Sequence, residues 1–329
     1  MRKLLLTSTA LVAATSISAA QASDVSVTGA FEWNYISQAA DLTANDGDSF
    51  STGNEVTIAF ESKTDSGLTL GGRWYHNADG AGAHGGSTDE SALSISGGFG
   101  KLVLGYDDDA SDAFGVDEGD LTGEEASSTP TSATILTNAG QSGATDNNKI
   151  TYFTPAMGGF KAGVSVEDSG TTATTDRTTM GASYSMPMEG GSLLIEYNQG
   201  TTDGATDTDH TNYGATLTMG AMTILASTAT RELASNDIEA TGLGIKYDMG
   251  GGMYIAATTM EAEDEHASAT SSGEKEKYTS NIAEVGYTIA PGLNAVVTYV
   301  DYEYKDGGTT ASGTDDSGQI TKFTIKASF

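Results

Sequence analysis

The feature that most restricts this chain is a rhythm. Short stretches of alternating apolar and polar residues are joined by links that are tight and then long in turn. Sixteen such stretches can be read, the first over residues 24–37 and the last over 318–329. Period-two alternation bounded by Gly, Asp, Asn, Ser or Pro marks β-strands, and many of these stretches approach the roughly 9–11 residues that a tilted strand needs to cross a bilayer. The tight links are TDSG (64–67), SGGFG (96–100), PAMGG (155–159), PMEGG (187–191), MGA (219–221), DMGGG (248–252) and APG (290–292). The links between them read as long, polar and acidic, and the longest covers 107–147. A meander with turns at one end and loops at the other predicts an all-β fold, a transmembrane antiparallel β-barrel of sixteen strands. A soluble β-protein would carry comparable loops at both ends.

Side-chain direction supports the same fold. In the closing ITKFTIKASF (320–329), Phe323, Ile325, Ala327 and Phe329 fall on one face, and Lys322, Thr324, Lys326 and Ser328 on the other. The first strand sets Val25, Val27, Phe31, Trp33 and Tyr35 against Glu32 and Asn34. Val56, Ile58 and Phe60, then Leu102, Leu104 and Tyr106, then Leu193, Ile195 and Tyr197 repeat the pattern. A small soluble barrel has an apolar inside, so polar alternates on every strand predict a water-filled lumen with lipid outside. Tyr106, Tyr152, Phe160, Tyr184, Tyr247 and Phe329, near strand ends, are candidates for interfacial girdles. An open sheet edge cannot lie in hydrocarbon, so the strand ending at Phe329 must pair with the first.

Residues 1–22 combine a basic start (Arg2, Lys3), an apolar middle and small residues at Ala20 and Ala22, the pattern of an export leader. The expected organisation is therefore a signal peptide over 1–22 and one barrel domain over 23–329. Without a cysteine, the exported chain has no disulfide and no thiolate chemistry. Losing Arg2 and Lys3 with the leader leaves 13 basic residues against 45 acidic ones, a net charge of −32. That balance disfavours nucleic acid as a partner and draws cations toward the protein. Pro155, Pro187 and Pro291 are read as lying in the short turns, where a missing donor costs nothing.

Four segments resemble the general porins of Gram-negative bacteria, in particular the alphaproteobacterial type. They are GNEVTIAFESKTDSGLTLGGRW (53–74), GGFGKLVLGYDDDASDAF (97–114), NKITYFTPAMGGFKAGVSVE (148–167) and ITKFTIKASF. The resemblance spans the chain after the leader. It implies a homotrimer of barrels in the outer membrane, each with a long third loop folded into the pore. It also implies passive diffusion of small hydrophilic solutes and ions, contact with lipid and lipopolysaccharide, and recognition of Phe329 by the barrel assembly machinery.

The long loop is also a functional flag on length alone. Its first half carries Asp107, Asp108, Asp109, Asp112, Asp117, Glu118, Asp120, Glu124 and Glu125 and no base. In the family such a loop faces basic residues across the constriction. Parity makes Arg73, Lys101, Lys149 and Lys161 inward candidates, with Lys246, Lys322 and Lys326 further round. Clustered carboxylates concentrate cations, so the expectation is a cation-preferring pore with an acidic side and a basic side. The arginines are few: Arg73, Arg177 and Arg231. Asp107, Asp109 and Asp112 could also hold calcium, although the spacing is not that of an EF-hand. Glu261, Glu263, Asp264 and Glu265 beside His266 could bridge divalent cations to lipopolysaccharide. Two other readings stay open, a surface adhesin or structural barrel and a barrel enzyme. Against the enzyme, His76, His84, His210 and His266 are scattered and form no H-E-x-x-H motif, nor is there a G-x-S-x-G elbow.

Overall fold

The computed structural model describes residues 24–41, 46–77, 87–122, 135–136, 139–140, 147–167, 176–203, 208–233, 237–264, 275–305 and 315–329. The leader assigned to 1–22, and His84, Glu124, Glu125, Glu265 and His266, lie outside them. The strands are β1 (Asp24–Ala40), β2 (Gly47–Lys63), β3 (Thr69–Asn77), β4 (Ser87–Gly97), β5 (Gly100–Asp107), β6 (Asn147–Phe153), β7 (Phe160–Glu167) and β8 (Asp176–Met188). They continue as β9 (Gly191–Asp203), β10 (Thr208–Met219), β11 (Met222–Leu233), β12 (Asp237–Gly250), β13 (Met253–Asp264), β14 (Glu276–Ala290), β15 (Leu293–Lys305) and β16 (Asp316–Ser328). Each pairs antiparallel with its sequence neighbours, and β16 pairs with β1 to close the barrel.

The seam reaches the last residue. Phe329 N–H donates to Gly29 O at 2.9 Å, and Gly29 N–H donates to Phe329 O at 3.2 Å. Each tight link turns the chain within a few residues. Between β12 and β13 the two connecting glycines, Gly251 and Gly252, take φ of +65° and +82°. Two successive positive φ values make the type I′ hairpin turn, whose twist suits the flanking strands. Pro187 differs from expectation: it is the penultimate residue of β8, opposite Ser192, and not part of the turn. Two of the links expected to be long are also short, because the flanking strands run on to leave only 204–207 and 234–236 between them.

The barrel is apolar outside. Val27 is 65% exposed, Leu243 52% and Ile195 46%, whereas inward Asn198 and Asn212 are fully buried. At the end bearing the long loops, Trp33 stacks on Phe50 at 5.6 Å and meets Phe323 at 6.3 Å, which ties β1, β2 and β16 together at the surface. At the other end Phe160, Tyr184, Tyr247 and Phe329 are exposed beside the turns.

The inside is not uniformly polar, contrary to the reading from alternation. Ile238, Met260, Tyr278, Val300 and Ile320 point inward and are buried. What covers them is the long loop between β5 and β6: its Ile135, Leu136 and Ala139 belong to the same apolar cluster. One part of the lumen is therefore packed core.

The outward row makes a stability prediction. Leu243→Arg places a charge midway along β12 on the lipid face and should cost about 2–4 kcal/mol in vesicle-based urea unfolding, whereas Thr57→Arg, on the lumen side, should cost far less.

Candidate functional site

The long loop leaves β5 and crosses the barrel interior. It carries two short 3-10 turns, Asp112–Phe114 and Glu118–Leu121. The first packs on β8 and β9, and the second on β11, β12 and β13. In the closed strand order the near limb with its two turns thus lies along the β7–β13 wall, the limb bearing Ile135 and Leu136 reaches on to β14, β15 and β16, and the side bounded by β1–β5 faces the near limb.

Hydrogen bonds from the wall hold the loop's backbone. Ala110 N–H donates to Ser165 Oγ at 2.7 Å. Asn212 on β10 does most of the rest: its Oδ1 accepts from Val116 N–H at 3.2 Å, and its Nδ2 donates to Val116 O at 3.2 Å and Ala139 O at 2.8 Å. Asn198, directly opposite on β9, donates to Phe114 O at 3.3 Å and to Asn212 Oδ1 at 3.2 Å. One buried amide pair therefore serves backbone from both described limbs of the loop. Sequence reading passed over both residues; inward parity on two paired strands is the signal that could have found them.

The acidic residues have different surroundings. Asp107 is buried and paired with Arg73 at 2.5 Å. Arg73 also contacts Glu90 of β4, so one guanidinium bridges two carboxylates. Asp109 is buried, accepts from Ser111 N–H at 2.8 Å and from the Ser111 hydroxyl, and lies 3.3 Å from Arg177. Asp117 caps the second 3-10 turn, reciprocally with Asp120. Glu118 is buried, and its Oε2 accepts from Ala139 N–H at 3.2 Å. Asp108 is half-buried, and Asp112 and Asp120 are exposed.

Asp112 is reached by water yet lies deep among protein atoms. Desolvation there, reinforced by the charges of Asp108 and Asp109 and opposed by Lys149, pushes its carboxyl up to about 6. Asp120 is also raised, by desolvation, against the lowering effect of its bond to the Asp117 backbone.

The basic candidates do not form one wall. Arg73 and Lys101 line a cavity of about 600 Å³ together with Asp107, Asp108 and Asp112. Lys149 is buried on β6 opposite Glu167. Lys161 sits near the turn end of β7, opposite Ser183 and apart from this group. On β16, Lys322 and Lys326 reach Glu32 of β1 at 3.6 and 3.7 Å. Lys246 lies 4.0 Å from the Tyr254 ring, whose hydroxyl donates to Glu284 at 2.7 Å. Glu90 was not picked out from the sequence, while Glu32 was read only as an inward polar residue and Arg177 only as one of the few arginines.

Among the described residues, the carboxylates whose ligand atoms come within 4.8 Å of one another are Glu90, Asp107 and Asp108, not the trio Asp107, Asp109 and Asp112. Arg73 stands in that group and supplies the counter-charge that a calcium ion would bring.

A family model described as Gram-negative porin matches residues 7–319. The chain belongs to the Gram-negative porin family. It is an outer-membrane β-barrel channel of a non-enzymatic family. Solved structures share the porin fold at low identity. The anion-selective porin from Comamonas acidovorans is 17% identical with a TM-score of 0.72, over 93% of this chain and 100% of that one. The trimer form of OmpT from Vibrio cholerae is 13% identical with a TM-score of 0.70, over 94% and 100%. A mutant of the Rh. blastica porin is 17% identical with a TM-score of 0.66, over 93% and 100%. No curated protein matches the porin by sequence.

The amide anchor yields a prediction. Asn212→Ala removes both the acceptor for Val116 N–H and the donors to Val116 O and Ala139 O. It should lower stability by about 1–3 kcal/mol, the cost of leaving buried groups unsatisfied, read as a reduced urea midpoint in lipid vesicles.

Proposed function

We propose that this porin passes small hydrophilic solutes and ions with a preference for cations, and that the first half of its inward loop sets that preference. The observation that carries the reading is the unequal disposition of charge. Arg73 is engaged by Asp107 and Glu90, and Arg177 lies against Asp109, while Asp108, Asp112 and Asp120 remain open to water along the loop. Carboxylates held within a narrow, protein-walled aqueous space raise the local concentration of cations and repel anions. On the β1–β16 side, Glu32 offsets Lys322 and Lys326, which weakens the basic counter-wall. The name of the Comamonas porin gives the opposite selectivity, but a likeness at 17% identity carries the fold and not the lining charges.

We further infer the assembly around the channel. Residues 1–22 act as the export leader, and Phe329 is the signal read by the barrel assembly machinery. Three copies associate, as OmpT does in its trimer form, with lipopolysaccharide around the outer rim. The four quoted segments support the alphaproteobacterial type.

Selectivity is tested by the zero-current potential of the purified porin in a planar bilayer under a salt gradient. A potential of cation sign is expected, and one of anion sign would end the reading. Ionised Asp112 contributes negative charge, so the potential should shrink as pH falls through about 6 and that carboxyl takes up a proton. Asp112→Asn should start from the smaller value and lose this step.

A further inference from the structure

We propose that glycines on the inner wall are sockets that set how far the inward loop stands from the wall, and hence how wide the passage beside it is. The proposal deepens the reading of this loop as the border of the channel and rests on it. Glycine inside a strand costs backbone entropy and packs nothing, and it often marks a place where another segment approaches closely. Gly163, Gly181, Gly214 and Gly244 all lie within strands of the wall that carries the loop.

Each socket holds a particular loop side chain. A Cβ on Gly214 would stand 1.3 Å from Val116 Cγ1, and one on Gly244 would stand 2.6 Å from Leu121 Cδ1. Gly163 and Gly181 face each other across the β7–β8 ladder: a Cβ on Gly181 would lie 2.5 Å from Phe114, and one on Gly163 would meet both Phe153 of β6, at 2.7 Å, and Phe114, at 3.0 Å. Phe114, Val116 and Leu121 are all at most 4% exposed, so the sockets are filled.

The sockets alternate with the polar anchors. Gly214 is two residues from Asn212 on the same face of β10, and Asn212 holds the backbone of the residue whose side chain Gly214 receives. Gly181 pairs with Asn198, which holds Phe114 O. The amides fix the loop along the wall, and the missing Cβ atoms fix its height above it. An added methyl can yield only by lifting Val116 toward the β1–β5 side, because β10 is locked in its ladders to β9 and β11. The passage must then narrow.

The test is single-channel conductance of Gly214→Ala in a planar bilayer, on barrels shown to be folded by circular dichroism. A lower conductance than the native porin is expected, with recovery in Gly214→Ala/Val116→Ala, where the methyl is removed from the other partner. Gly98→Ala, in an open turn with nothing within 4 Å of the added atom, should conduct as the native porin does. A folded Gly214→Ala with native conductance, or a loss that Val116→Ala does not repair, would overturn the proposal. If Gly214→Ala does not fold, Val116→Ala alone decides: an emptied socket should make the open-channel current noisier, and a quiet native current would count against it. Asp112→Asn, recorded alongside, separates two failures. If it shifts the zero-current potential while Gly214→Ala changes nothing, the loop borders the passage but the sockets do not set it. If neither responds, the reading of the loop fails as well.

Discussion

A backbone amide in hydrocarbon finds no water, so the pairing of β1 with β16 is the interaction on which the rest of this structure depends. Without it two strand edges would lie open in the membrane. The closing ladder extends from Gly318 opposite Ala40 to Ser328 opposite Ala30, and the two bonds between Phe329 and Gly29 complete it. Closure also decides the side-chain chemistry. A ring of paired strands in lipid must be apolar outward, so residues such as Val27 and Leu243 are exposed in a way that would be costly on a soluble protein.

Sixteen strands enclose more space than their own side chains can fill. The inward loop resolves this unequally. Its far limb brings Ile135, Leu136 and Ala139 onto inward-facing Ile238, Val300 and Ile320, making a small dry core inside the barrel. Its near limb carries carboxylates and borders the open side. One loop therefore splits the interior into a packed region and a water-filled one. The packed region fixes the edge of the passage, since a loop held on only one limb would leave that edge undefined.

The barrel was legible because its signals are local. Period-two alternation over Val25–Tyr35 placed Glu32 and Asn34 inside, and the tight glycine-bearing links placed the hairpins. Alternation fails where both faces of a strand meet the same medium. At the end of β9 the polar run TTD (201–203) reads as loop although it continues the ladder opposite β10. VVTYV (296–300) shows the opposite case: a nearly continuous apolar run is the mark of a strand covered on both faces, here by lipid and by the loop. The site was less legible because its partners are distant in sequence. Parity turned Arg73 inward, but nothing in the sequence sets the β3–β4 register, in which Glu90 stands opposite Tyr75 and so diagonally across from Arg73. The wall glycines were masked by abundance, since with 42 glycines in the chain turns are the obvious use.

The net charge of −32 after leader removal is a poor measure of the field a permeating ion meets. Within one short segment, Asp107 and Asp109 are tied to arginines, Asp117 caps a turn, and Glu118 is spent on a backbone amide. These acids hold the loop in shape, and their charge is largely compensated where they sit. All of Asp107, Asp108, Asp109 and Asp112 border the cavity, but Asp107 and Asp109 do so paired with arginines, and Asp108 and Asp112 do so without such a pair. Shape therefore rests on one set of members of the acidic run, and the proposed cation preference on another. This separation explains how porins of one fold can differ in the sign of the ion they favour. Reversing a few side chains at the water-facing edge leaves the ladders, the amide anchors and the packed limb untouched.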